Sequence, residues 1–203
     1  MTTKRIENPM PEPSQLTELI DSMSASTNPQ TATTLQILHN LQYQHLWTSL
    51  QIHATPADMA SSAEDPRPTL ISGIPPHRVY THPDEQLYML ERGLRDDDLR
   101  PERLFVIPTA QGQRWSLRRM AAVFDAMSDI EVAADDESDT VALPEGAKAE
   151  KLEEYYRKRA EADITKEWGS KRALLGMVDK GMGGEGTVVY YIVQEGEVKP
   201  RQN

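Results

Sequence analysis

Tyr80, His82 and Lys171 are the residue types that a metal-free cleavage of a phosphodiester would use as base, acid and cation. Their spacing does not assemble them. Tyr80 and His82 are two apart, so on a strand they would share a face, and His82 precedes Pro83, where a helix opens. No pattern brings Lys171 towards them. Metal chemistry has less support still: there is no cysteine, and none of the five histidines forms an H-x-x-x-H pair with a glutamate between. His39 and His45, six apart, point to different faces of a helical region and read as polar residues at the core edge. MGGEG lacks the Lys-Ser/Thr of a phosphate cradle and no helix follows it, so it reads as a loop tip. The carboxylates from Asp135 to Asp139 have no apolar neighbours to hold them. They read as a solvated loop or, alternatively, as an acidic finger for a basic partner. The residues alone thus assign no catalytic centre, metal or cofactor.

The elements that would position such groups form one compact domain with extensions. Of 203 residues only 38% are hydrophobic, and 14 are proline. The net charge of -10 argues against unaided binding of a polyanion, which needs a basic face. The lack of cysteine suits a reducing compartment. No apolar run approaches the ~18 residues of a membrane span, and no secretory leader is expected at the N-terminus.

Met1 to Gln30, with Pro9, Pro11, Pro13 and Pro29, reads as a disordered arm; Leu16, Leu19, Ile20 and Met23 offer one short amphipathic helix within it. From Thr31 a Thr-capped helix places Leu35, Leu38 and Leu41 on one stripe, and the period changes near Trp47 into a strand. TLISGIPPHRVY supplies two short strand-like pieces. A helix opening at Pro83 and closing near Gly93 is expected to turn Leu87, Leu90 and Leu94 inward. RLFVIP is a buried strand. RWSLRRMAAVFDAM is a helix with Leu117, Met120, Ala121 and Phe124 inward and Arg114, Arg118 and Arg119 exposed. Residues 128–168 read as an insertion, acidic at first and then a charged helix from Lys148 to Trp168 with Glu154 paired to Lys158. The domain itself is residues 31–127 and 169–203, with a strand from Arg172 to Val178.

The most β-prone run comes last. Val188, Val189, Tyr190, Tyr191, Ile192 and Val193 do not alternate with polar residues, which predicts cover on both faces. A turn at Glu195-Gly196-Glu197 leads to a short return strand through Lys199, stopped by Pro200. The last two long strands form an antiparallel hairpin in a small α/β domain with a mixed sheet flanked by helices.

Four segments together resemble a known family: NLQYQHLW (Asn40 to Trp47), SGIPPHRVYTHPDEQ (Ser72 to Gln86), RWSLRRMAAVF (Arg114 to Phe124) and VVYYIVQEGEVKPRQN (Val188 to Asn203). They resemble the smallest non-catalytic subunit of the eukaryotic tRNA-splicing endonuclease, in its fungal form, over Thr33 to Met127 and Lys171 to Asn203. The resemblance implies an endonuclease-like α/β fold and a heterotetramer of two catalytic and two structural subunits that removes introns from precursor tRNA. It implies pairing with the catalytic subunit for the 3′ splice site through C-terminal strands, and contact with precursor tRNA only through the complex. It also implies location in the nucleus, or at the mitochondrial surface as in some yeasts. An acidic loop of such subunits enters a basic pocket of a catalytic one, for which Glu195 and Glu197 or the run from Asp135 are candidates. Catalytic relatives carry a tyrosine, a histidine and then a lysine just before a strand. Lys171 occupies that last place, but tyrosine and histidine at a matching separation are missing, so Lys171 is at most a remnant.

Two other readings stand beside this one. A protein-binding adaptor unrelated to tRNA splicing would use the N-terminal arm, and an active metal-independent ribonuclease would need the missing geometry. The orphan edge of Val188 to Val193 is also free to pair with its own copy, giving a homodimer in isolation.

Overall fold

Alternating apolar residues build a sheet with a different helix on each face. The computed structural model describes residues 29–53, 69–130, 146–179 and 187–196. Strands β1 (Thr48–His53), β2 (Leu70–Ile74), β3 (Leu104–Ala110), β4 (Arg172–Asp179) and β5 (Thr187–Gln194) lie in sequence order across it. All neighbours are antiparallel except β3 and β4, which are parallel, so the sheet is mixed. Leu104, Val106, Leu174, Val178, Val188 and Tyr190 face one side. Phe105, Ile107, Ala173, Leu175 and Val193 face the other. The period of two along each strand produces this division.

Helix α1 (Pro29–His39) continues as a π-helical turn (Asn40–Gln44) and covers the first face with Ile37 and Leu41. It opens two residues before the expected Thr31. Only one of the two pieces expected in TLISGIPPHRVY is a strand; residues 75–82 run without regular structure to α2 (Pro83–Arg92). There the leucine expectation fails. Glu85 and Met89 are buried, whereas Leu87 and Leu90 are 57% and 66% exposed. Leu94 is buried as expected, after Gly93 ends the helix with φ +68. The partner decides the face: α2 packs against α4 (Ala147–Thr165), and polar as well as apolar groups on α2 have matches there.

Helix α3 (Leu117–Asp129) covers the second face with Met120, Val123, Phe124 and Met127. Ser116 caps it, its Oγ accepting the Arg119 N–H at 3.1 Å. The buried face is rotated towards Val123 and Ala126, which corrects three expectations together. Leu117 and Ala121 fall outside it, and Arg119 is buried with its guanidinium over the Trp115 ring at 4.4 Å.

The charged helix α4 has a buried side. Leu152, Tyr155 and Ala162, with Trp168 just beyond, form a cluster with Met89, Leu94 and Leu99. Glu154 does not pair with Lys158: it accepts from Arg92 at 2.9 Å and from the Tyr88 hydroxyl, while Lys158 reaches Glu167 at 2.9 Å. Tertiary partners outcompete the i,i+4 pair, which is worth only ~0.5 kcal/mol.

The β1 edge is bulged between Thr48 and Gln51, with Ser49 at φ +48. Arg103 holds the bulge, donating to the Ser49 carbonyl at 2.7 Å and to Ser72 Oγ at 3.2 Å. His53 Nε2 lies 2.7 Å from the same buried hydroxyl. Burial, then the Arg103 charge, lowers the His53 pKa below its ordinary 6.5. The folded state therefore resists protonating His53. Its contribution is complete above about pH 6.5 and declines as pH falls through the folded-state value. His53→Gln is expected to flatten the stability profile in that window, read by urea unfolding at stepped pH; an unchanged slope would refute the assignment.

Candidate functional site: an open edge strand and its cleft

Strand β5 is the other edge, and its hydrogen bonds show which groups remain outward. The Glu195 N–H donates to the Lys171 carbonyl at 2.9 Å, in the register that pairs Arg172 with Gln194. Alternation along an antiparallel ladder then points the N–H and C=O groups of Val189, Tyr191 and Val193 at β4. Those of Val188, Tyr190, Ile192 and Gln194 point away from the sheet. The Val178 carbonyl agrees with this phase, since it accepts from Gln111 on the β3 side.

Among the described residues this strand is not covered on both faces, contrary to the expectation from its composition. Tyr191 is 50% and Ile192 41% exposed, and no residue of β5 is fully buried. Val188 and Tyr190 pack at the margin of the cluster under α1, and Val193 at the margin of that under α3, so β5 is only partly buried. Burial drives the Tyr190 phenol well above its ordinary pKa, so Tyr190 is a neutral donor. Its hydroxyl bonds to Asn40 Oδ1 at 2.6 Å. Among the candidates for docking, Val188 to Val193 and Glu195 lie along or beside this edge; Glu197, Lys199, the run from Asp135 and the N-terminal arm up to residue 28 lie outside the described residues.

A cleft of about 1040 Å³ adjoins the end of β5, lined by Ile192 and Glu195 on one side and by Tyr80, Lys171 and Arg172 on another. Folding therefore gathers the chemical candidates that spacing left apart. A methyl group placed on Gly169 would come within 3.1 Å of Arg172 Nη2 and 3.7 Å of His82 Cδ2. Yet Arg172, Tyr80 and His82 have structural tasks. The Arg172 guanidinium lies 4.7 Å above the Tyr80 ring, and His82 caps α2. Its Nδ1 accepts from the Asp84 main-chain N–H at 3.3 Å and lies 3.5 Å from the Asp84 carboxylate. Tyr80 and His82 also sit on irregular backbone rather than on a strand. His39 and His45 make ring contacts with Tyr43 and Tyr190. No group of three His, Asp or Glu residues placed to hold a metal occurs among the described residues.

The cleft wall is stiffened by a buried polar frame that sequence reading missed. Glu85 Oε1 accepts from the Tyr155 hydroxyl at 2.5 Å and from Arg78 at 2.9 Å. Arg159 donates to both Glu102 oxygens, at 2.6 Å for Oε2. Burial pushes the Glu85 pKa up, but the bonds from Tyr155 and Arg78 outweigh it and leave it below the ordinary carboxylate value. Burial and the Glu85 bond raise that of Tyr155. The only hint in the sequence was Glu85 at the third helical position after His82, the spacing of a capping box.

These features define a small α/β protein with a bulged edge at β1, a second edge at β5 and a cleft beside the end of β5. Residues 36–146, just over half of the chain, match the family described as Sen15 protein. The chain belongs to the Sen15 family. It is also 34% identical over 196 residues, covering 95% of this chain and 75% of the relative, to the probable tRNA-splicing endonuclease subunit tsp-1 of Neurospora crassa.

Proposed function

We propose that this chain is a non-catalytic structural subunit of the tRNA-splicing endonuclease that excises introns from precursor tRNA. It pairs through β5 with the catalytic subunit for the 3′ splice site, within a heterotetramer in the nucleus. Family membership supports the splicing role, and the outward main-chain groups of Val188, Tyr190, Ile192 and Gln194 carry the docking role. Strand addition supplies affinity through those groups and specificity through alternate side chains. An apolar edge of this kind left open would invite aggregation. In the same reading Lys171 is a remnant, Glu195 and Glu197 or the run from Asp135 supply the acidic contact, and precursor tRNA is held mainly by other subunits.

The test is copurification from the native host with tagged full chain, a chain ending at Gly186, and Ile192→Pro. The proline removes one outward N–H without touching the ladder to β4. Loss of the other endonuclease subunits with both variants is expected. Recovery of those subunits by a folded Ile192→Pro chain would refute docking through β5. Recovery of unrelated proteins by all three would favour the adaptor reading.

A further inference from the structure

Tyr190 connects the open edge to a second exposed feature. Its main chain points outward, while its hydroxyl is held by Asn40 and its ring meets His45 edge-on, 5.3 Å between centroids. Asn40 begins the π-helical turn and donates from Nδ2 to Gln44 Oε1 at 2.6 Å, so the turn and the edge strand are braced together. Immediately after His45 comes Leu46, which has φ +56 and is 66% exposed. Left-handed backbone is unfavourable for leucine, and glycine or asparagine would take it with less strain. An apolar side chain this exposed adds little to the core in return. Backbone strain and π-helical turns both collect at functional sites.

We propose that the π-helical turn with His45 and Leu46 is a second wall of the docking site, and that it receives an aliphatic or aromatic side chain from the strand added to β5. The proposal rests on the reading of β5 as the dock. An added strand runs ~4.8 Å from β5, and its residue opposite Tyr190 projects on the same face. That side chain lies against the Tyr190 ring and within reach of His45. The partner is thus distinguished by an apolar residue at one position of its edge strand, and backbone pairing alone does not select it.

Titration calorimetry of the purified full chain against the purified catalytic subunit tests this with four variants. Leu46→Gly and Leu46→Asn relieve the strain without altering β5, and are expected to keep or raise the thermal midpoint while weakening binding about tenfold. His45→Ala is expected to weaken it several-fold. Ile192→Pro separates the two levels of the argument. If it binds normally, β5 is not the dock and both readings fall. If it abolishes binding while the Leu46 and His45 variants bind like the parent, only the second wall is overturned. A change confined to self-association of this chain, with binding to the catalytic subunit intact, overturns it as well.

Discussion

Glu85→Ala is expected to destabilise the folded chain by about 3–5 kcal/mol, the range for removing one partner of a buried ion pair. The Glu85 side chain is 3% exposed and that of Arg78 8%. Without Glu85, the carboxylates left to Arg78 among the described residues are the more distant Asp96 and Glu102, at 3.8 and 3.7 Å. Tyr155 loses the acceptor of its hydroxyl, and the main-chain N–H of His82 loses its bond to Glu85 Oε2. Glu85→Gln keeps the volume and some bonds, so its cost is smaller, about 1.5–3 kcal/mol. The pH dependence adds a second readout. Because the folded-state pKa of Glu85 is below the ordinary 4.5, its contribution is present above about pH 4.5 and lost as pH falls through the folded value. Urea unfolding at neutral and acid pH measures both. A loss under about 1 kcal/mol would mean that Glu102 takes over Arg78 and that the frame is redundant.

Trp168→Ala is expected to cost about 3–5 kcal/mol, as for large aromatic truncations in a core. Trp168 is 4% exposed and lies between the Tyr88 and Tyr155 rings, at 5.5 and 6.1 Å. Its carbonyl accepts from the Arg172 guanidinium, which ties the end of the α4 region to the first residue of β4. The cluster around Trp168 shares no buried residue with the two clusters on the sheet faces. Amide exchange should therefore quicken first in α2 and α4, while β2, β3 and β4 keep their protection. Equal quickening throughout would show that the helix pair and the sheet open as one unit.

The short strands and their order were legible because Leu104 to Ala110, Arg172 to Asp179 and Thr187 to Gln194 are rich in β-branched and apolar residues bounded by breakers. The start of α2 was legible for a local reason: Pro83 and the acidic first turn act within a few residues. Helix faces were less so. Leu87, Leu90, Leu117 and Ala121 satisfy a helical period, but a period does not say which element lies opposite. On α2 the opposing surface is α4, whose Tyr155 and Glu154 select Glu85, Tyr88 and Arg92 over the leucines.

By itself, the sequence determined the class of the domain, the absence of thiol chemistry, the final β-prone run and the family likeness carried by four separate motifs. These depend on residue identity and short-range spacing, which the chain states directly. Tertiary structure alone decided which main-chain groups of the β5 edge point outward, and that Tyr190 is braced to a turn 150 residues away. It alone brought Tyr80, Lys171 and Arg172 to one cleft and buried Arg78 with Glu85. Such pairings join distant parts of the chain, and their free energy comes from desolvation and geometry in a shared interior. No local pattern of residues encodes that.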